Sequence, residues 1–155
     1  MEAVFRSRLL GGFQILDIQD FSGQGTALVG VLDAFMDSKG LITDSEWREF
    51  CNDAVVMARF DSYVFEAGSS FKAHAELCNY RPELKGGKLI CTLALESGEV
   101  IGKVEKDFVS EGNYTDICDA EFTFPQVEKN TKAVLSLEIE GTDIHNHYDL
   151  WAIPT

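Results

Sequence analysis

Basic residues are scarce in this chain: 13 Lys and Arg face 26 Asp and Glu, for a formal net charge of −13. Neutralising phosphates requires clustered Lys and Arg, so nucleic acid is not an expected partner. The same shortage argues against an anionic membrane surface. Long apolar runs are missing as well; no stretch approaches the roughly 18–20 apolar residues that cross a bilayer. Met1 to Leu10 carries Arg6 and Arg8 but no apolar segment of the kind a signal peptide needs. No C-x-x-C occurs among Cys51, Cys78, Cys91 and Cys118, and their spacing fits no zinc site. Sequence leaves three full pairings open beside free thiols. Buried free thiols are the preferred reading, because Cys91 falls in an apolar run where a thiol behaves as a small hydrophobe. Gly-x-Ser-x-Gly is absent, which removes the nucleophile elbow of α/β-hydrolases. Gly23-x-Gly25 lacks the third glycine of a phosphate-binding loop, since Leu28 stands there, and reads as a tight turn.

What is present divides into two unlike parts. Hydrophobic residues make up 45% of the 155 residues, enough for a self-sufficient core. In the first part, Phe13-Gln14-Ile15-Leu16-Asp17-Ile18 is a short apolar run suited to a buried strand. A polar, glycine-containing turn follows. Leu28, Val31, Leu32 and Phe35 then fall at i, i+3, i+4 and i+7, one face of a helix. Thr26 or Gly25 is the expected cap at its start, and Lys39 and Gly40 suit its end. The spacing thus predicts strand, loop and helix over 13–39. Such a unit has no ladder partner or sheet of its own, so it must find contacts elsewhere, a second copy of the chain included. Next, Thr43-x-x-Glu46 is a capping-box pattern and predicts a short linking helix through Trp47, Phe50 and Cys51.

The second part alternates with period two. Phe71, Ala73, Ala75 and Leu77 interleave with Lys72, His74 and Glu76. Leu89, Cys91, Leu93 and Leu95 share a face, as do Leu135, Leu137 and Ile139. Further strands fit near 55–60, 100–107, 118–124 and 148–153, separated by glycine-bearing turns such as Ser97-Gly98 and Glu140-Gly141-Thr142. Pro82 and Pro125 fall at strand ends, where a missing N–H is tolerated. About seven short strands in roughly 100 residues predict an immunoglobulin-like β-sandwich. The expected fold is therefore mainly β. Residues 1–42 form a strand–helix unit, 43–53 a linking helix and 54–155 the sandwich.

The run from Gly12-Phe13-Gln14-Ile15-Leu16-Asp17-Ile18-Gln19-Asp20-Phe21 through Gly23-Gln24-Gly25-Thr26-Ala27-Leu28 to Asp33-Ala34-Phe35-Met36-Asp37-Ser38-Lys39-Gly40 resembles the last strand and helix of the (β/α)₈ barrel in bacterial glycoside hydrolase family 2-like proteins, the β-galactosidase and β-glucuronidase superfamily. Tyr148-Asp149-Leu150-Trp151-Ala152-Ile153-Pro154 is similar to the closing strand of the sandwich after that barrel. Ser22 departs from the pattern, standing where the family would have Pro. The resemblance implies a parent enzyme that hydrolyses O-glycosidic bonds with two carboxylates by a retaining route, in the periplasm or outside the cell. Both Glu residues, and any export signal, would lie upstream. This chain would then be a non-catalytic accessory region that braces the barrel and meets carbohydrate through the parent, with no cofactor and no metal. Alternatives from other classes are a carbohydrate-binding module and an immunoglobulin-like protein-interaction domain, including a homodimer through the exposed Leu28–Phe35 helix.

By position, the same resemblance would put Asp17, Gln19 and Asp20 around a sugar pocket, since barrel sites lie at strand C-termini. Asp17 and Asp20 are the best candidate acids for a catalytic pair, and a turn-capping role for Asp20 is preferred. His145 and His147 share a strand face beside Asp143, but exposure or hydrogen bonding is preferred over a metal site. Trp47, Tyr63, Tyr80, Tyr114, Tyr148 and Trp151 are candidate sugar-stacking rings, with core packing as the competing role. Asn113-Tyr114-Thr115 is a glycosylation sequon, relevant only to a eukaryotic secreted protein and expected to be silent.

Overall fold

The computed structural model describes residues 1–23, 25 and 28–154. The chain divides into two compact units, Met1–Arg48 and Glu49–Thr155.

The second unit is a β-sandwich. Its strands are β1 (Ala54–Arg59), β2 (Val64–Glu66), β3 (Ser70–Asn79), β4 (Gly86–Leu95), β5 (Val100–Val109), β6 (Tyr114–Thr123), β7 (Thr131–Ile139) and β8 (His145–Ile153). One sheet has the order β1-β3-β6 and the other β2-β8-β7-β4-β5. Every pairing is antiparallel except that of β2 with β8. This is the expected immunoglobulin-like arrangement. Alternate residues face inward: Ala73, Ala75 and Leu77 on β3, Leu89, Cys91 and Leu93 on β4, and Ala133, Leu135, Leu137 and Ile139 on β7, all essentially inaccessible. Phe65, Phe71 and Phe124 stack at one end with centroids 4.5–5.6 Å apart. Ser97-Gly98 makes the tight β4–β5 turn, where Gly98 takes φ 90° and Leu95 N–H bonds Glu99 C=O at 2.8 Å. The side of β1 away from β3 is sealed by side chains. Ala58 N–H donates to Tyr148 Oη at 3.0 Å and Asn146 Nδ2 donates to Val56 C=O at 2.9 Å. All four cysteines are free thiols, Cys78 and Cys91 buried.

The first unit departs from the expected strand, loop and helix. Residues 13–18 are irregular, and the described residues of 26–39, which are 28–39, form no helix; the capping role expected of Thr26 lies outside the described residues. Three physical reasons account for it. Asp33 Oδ1 accepts the N–H groups of Phe35 and Asp37, at 2.8 and 3.0 Å, so a side chain takes donors that a helix would use. Met36 adopts φ 72° and Gly30 interrupts the run. The apolar face also finds no core: Leu28 is 63% exposed and Phe35 85%, and a short helix without packing is marginal. Instead the chain doubles back. Val31 and Leu32 donate to Ile18 C=O, and Asp20 N–H donates to Leu32 C=O at 3.0 Å. A helix that the sequence reading did not foresee, α1 (Glu2–Ser7), opens the chain, with Arg6 paired to Glu2 at 3.0 Å. α2 (Asp44–Phe50) is the expected linking helix. Its capping box closes, with Thr43 N–H donating to Glu46 Oε2 at 2.8 Å and Glu46 N–H to Thr43 Oγ1 at 3.2 Å.

Candidate functional site

Of the residues expected at a sugar pocket in the first unit, Asp17 is exposed in a left-handed conformation (φ 61°). Gln19 bridges to Leu32. Asp20 is buried and fully occupied: its Oδ1 accepts Gly30 N–H at 2.9 Å, and both oxygens accept Lys39 Nζ at 3.0 Å. Lys39 Nζ also donates to Gly30 C=O at 2.9 Å. A Cβ on Gly30 would come within 2.4 Å of the Gln19 carbonyl carbon, so only glycine fits this clamp. The Asp20 carboxylate thus ties residues 20, 30 and 39 into one polar clamp.

The candidate aromatic rings separate by environment. Tyr148 is buried as the β1 seal, and Tyr63 packs edge-on against Phe60 at 5.0 Å. Trp151 lies on the outward face of β8, beside Val64 and Lys132. Tyr80, 59% exposed, borders a depression of about 250 Å³ at one loop end of the sandwich. Asn79, Arg81, Lys85, Ser110 and Asn113 also line it. Its walls are hydrogen-bonded into the fold. Asn79 is buried and its Nδ2 donates to Leu84 C=O and Ser110 Oγ, both at 2.9 Å, while its Oδ1 accepts Arg81 N–H at 2.8 Å. Arg81 Nε donates to Asp53 at 2.6 Å and Nη2 to Asp143 Oδ2 at 3.1 Å. Hydrogen bonds to Asp143 and Asp53 raise the guanidinium pKa further above its ordinary value, so it is a fixed cation.

The Asp143 carboxylate pairs with Arg81. Its backbone carbonyl lies 3.1 Å from His145 Nδ1. The carboxylate facing both imidazoles is Glu49, 3.4 Å from His145 Nε2 and 2.7 Å from His147 Nδ1. Sequence separation hid this partner.

A fourth cluster was not singled out from sequence. On the outward face of the three-stranded sheet, His74 Nδ1 lies 2.6 Å from Asp119 Oδ1 and Nε2 lies 3.1 Å from Asp116 Oδ1. Glu76, 1% exposed in its side chain, is 3.9 Å from Nε2 and 3.4 Å from Arg59 Nη2. Burial alone would lower the His74 pKa, but the bonds to Asp119 and Asp116 outweigh it and raise it.

Residues 69–154 match the family described as "Domain of unknown function (DUF8488)". The chain belongs to that family. Its matched segment runs from the start of β3 to the end of β8, so it contains Tyr80, the loop-end depression and the His74 cluster. No curated protein matches. Among solved structures, the sporulation control protein Spo0M of Bacillus subtilis is 12% identical over 67% of this chain and 50% of its own, with a TM-score of 0.44. The alkylpurine DNA glycosylase AlkC of Pseudomonas fluorescens is 13% identical over 65% of this chain and 30% of its own, with a TM-score of 0.44. A β-glucuronidase of Bacteroides uniformis is 13% identical over 63% of this chain and 13% of its own, with a TM-score of 0.42. The chain thus spans half or less of the length of each of these proteins.

Proposed function

We propose that this chain is a non-catalytic accessory module of a larger carbohydrate-active protein, and that it contacts sugar in the depression beside Tyr80. The observation that carries the reading is the combination at that loop end: an exposed aromatic ring next to a concave site whose amide, hydroxyl and cationic groups are held in place. A pyranose offers an apolar face for stacking and a rim of hydroxyls; Tyr80 offers the ring, Lys85 and Asn113 line the same hollow as polar partners, and a hollow already shaped by internal hydrogen bonds lowers the ordering cost. The sequence resemblance of Gly12–Gly40 to a glycosidase segment, whose described residues here form neither the strand nor the helix of that barrel, is the ground for a carbohydrate-active parent. The commitment of Asp20 to Lys39 supports a chain with no turnover of its own.

Calorimetric titration with a panel of oligosaccharides tests this. Tyr80→Ala is expected to weaken binding by roughly 5- to 150-fold, because one ring stacked on a ligand is worth on the order of 1–3 kcal/mol. Trp151→Ala is expected to leave it unchanged. Absence of binding by the unaltered chain, or binding lost with Trp151 and kept without Tyr80, would overturn the site.

A further inference from the structure

We propose that His74, Glu76 and Asp116 bind a divalent first-row metal ion of the zinc type, with Asp119 as the residue that positions His74. The register of β3 and β6 brings these residues together. The pairing of the two strands runs from Ser70↔Thr123 to Ala75↔Cys118, then resumes with Glu76↔Asp116 and ends at Cys78↔Tyr114. The residue left over is Ile117, a β-bulge in β6. In an unbroken strand Asp116 and Asp119, three apart, would point to opposite faces of the sheet. The bulge returns both to the outward face, with Asp119 opposite His74 and Asp116 opposite Glu76. Bulges re-aim side chains in this way beside functional sites.

The protons follow from the partners. A carboxylate only accepts, so the 2.6 Å contact of Asp119 with Nδ1 puts the hydrogen on that nitrogen. The 3.1 Å contact of Nε2 with Asp116 Oδ1 puts a hydrogen on that nitrogen by the same rule, so a metal ion entering beside Asp116 and Glu76 displaces this proton and takes the Nε2 lone pair. A carboxylate that fixes the far nitrogen of a histidine is the usual support of a metal-bound imidazole. One donor atom from each of His74, Glu76 and Asp116 lies within 4.8 Å of the others. Ligands on one zinc ion at about 2.1 Å stand roughly 3.4 Å apart in a tetrahedron, so modest side-chain movement closes the site. Asp116, with a side chain 52% exposed, leaves a path from solvent. Arg59, whose side chain is 65% exposed, holds the buried Glu76 and is free to swing outward when a second cation arrives. One nitrogen and two carboxylate oxygens select zinc or its first-row neighbours over calcium and magnesium, which prefer oxygen alone.

The test is calorimetry of zinc chloride into the chelator-treated full chain, with the cobalt(II) absorption spectrum recorded on the same protein. One ion per chain is expected, with a cobalt spectrum lacking thiolate charge-transfer bands. His74→Ala and Glu76→Gln are expected to weaken binding by at least 100-fold, and Asp119→Asn by 10- to 100-fold. Asp116→Asn, at a position half open to solvent and with the side-chain shape kept, is expected to weaken it at least tenfold and covers the case in which a His74 or Glu76 variant does not fold. No stoichiometric binding, a thiolate band that assigns the metal to cysteines, or affinity unchanged in Asp116→Asn would overturn the proposal. So would affinity lost only when His145 and His147 are replaced.

Discussion

The two units of this chain are held together by different forces. In Glu49–Thr155, alternate residues of every long strand but the edge strand β5 are withdrawn from water, and burial of apolar area dominates. In Met1–Arg48, only Asp20 and Gly30 are buried among the described residues. Leu9, Leu16, Leu28 and Phe35 lie largely in solvent. There the organising contact is polar: one carboxylate gathers a glycine amide and a lysine from 10 and 19 residues away. Apolar content alone therefore does not make a core. The sandwich has a period that strand neighbours reward, whereas the first unit has a helical period with nothing to cover.

The contrast is tested most severely in the sandwich. Leu135 is fully buried between β4 and β8, so Leu135→Ala is expected to cost about 2–5 kcal/mol, read as a lowered denaturation midpoint. A smaller loss would mean that the sandwich core is loosely packed. In the first unit, Gly30→Ala drives a Cβ into the Gln19 backbone and is expected to cost on the order of 1–3 kcal/mol locally. Hydrogen exchange at the Val31, Leu32 and Lys39 amides, whose bonds depend on that turn, would accelerate. Unchanged exchange would show that the clamp does not organise the loop. Tyr148→Phe removes the acceptor of the buried Ala58 N–H and is expected to cost about 1–3 kcal/mol, at the lower end because the ring stays packed. The smallest effect is chemical. Burial first, then the nearby Cys118, pushes the Cys91 thiol up to about 12. At pH 8 only about one molecule in ten thousand would carry the thiolate, which is the reactive form. Alkylation of Cys91 is expected only as fast as the sandwich unfolds, and rapid labelling of the native chain would contradict the packing.

β3, β4 and β7 were legible from period-two runs and the other long strands from the turn signals around them; β1, buried on five consecutive residues, has no such period. β2 was not legible, because three residues carry no period. The expected helix over 26–39 failed because the same apolar spacing coexists with Asp33, whose side chain competes for backbone donors, and with Gly30. Thr43 and Glu46 were readable as a capping box because that interaction is local. Tyr80 stood among the candidate rings, but its depression is made by loops 30 residues apart. His74 and Glu76 alternate visibly on one strand; that Asp116 and Asp119 both face them depends on the bulge at Ile117, which no spacing in β6 announces. Glu49 escaped notice for a similar reason, being close to His147 only through the fold.

The central claim is a sugar-contacting module without turnover. The most direct measurement is the release of nitrophenol from a panel of nitrophenyl glycosides by the chain at high concentration. The account predicts no rate above the protein-free blank. A reproducible rate abolished by Asp17→Asn or Asp20→Asn would contradict it, and would return the catalytic role to the loop that Lys39 holds.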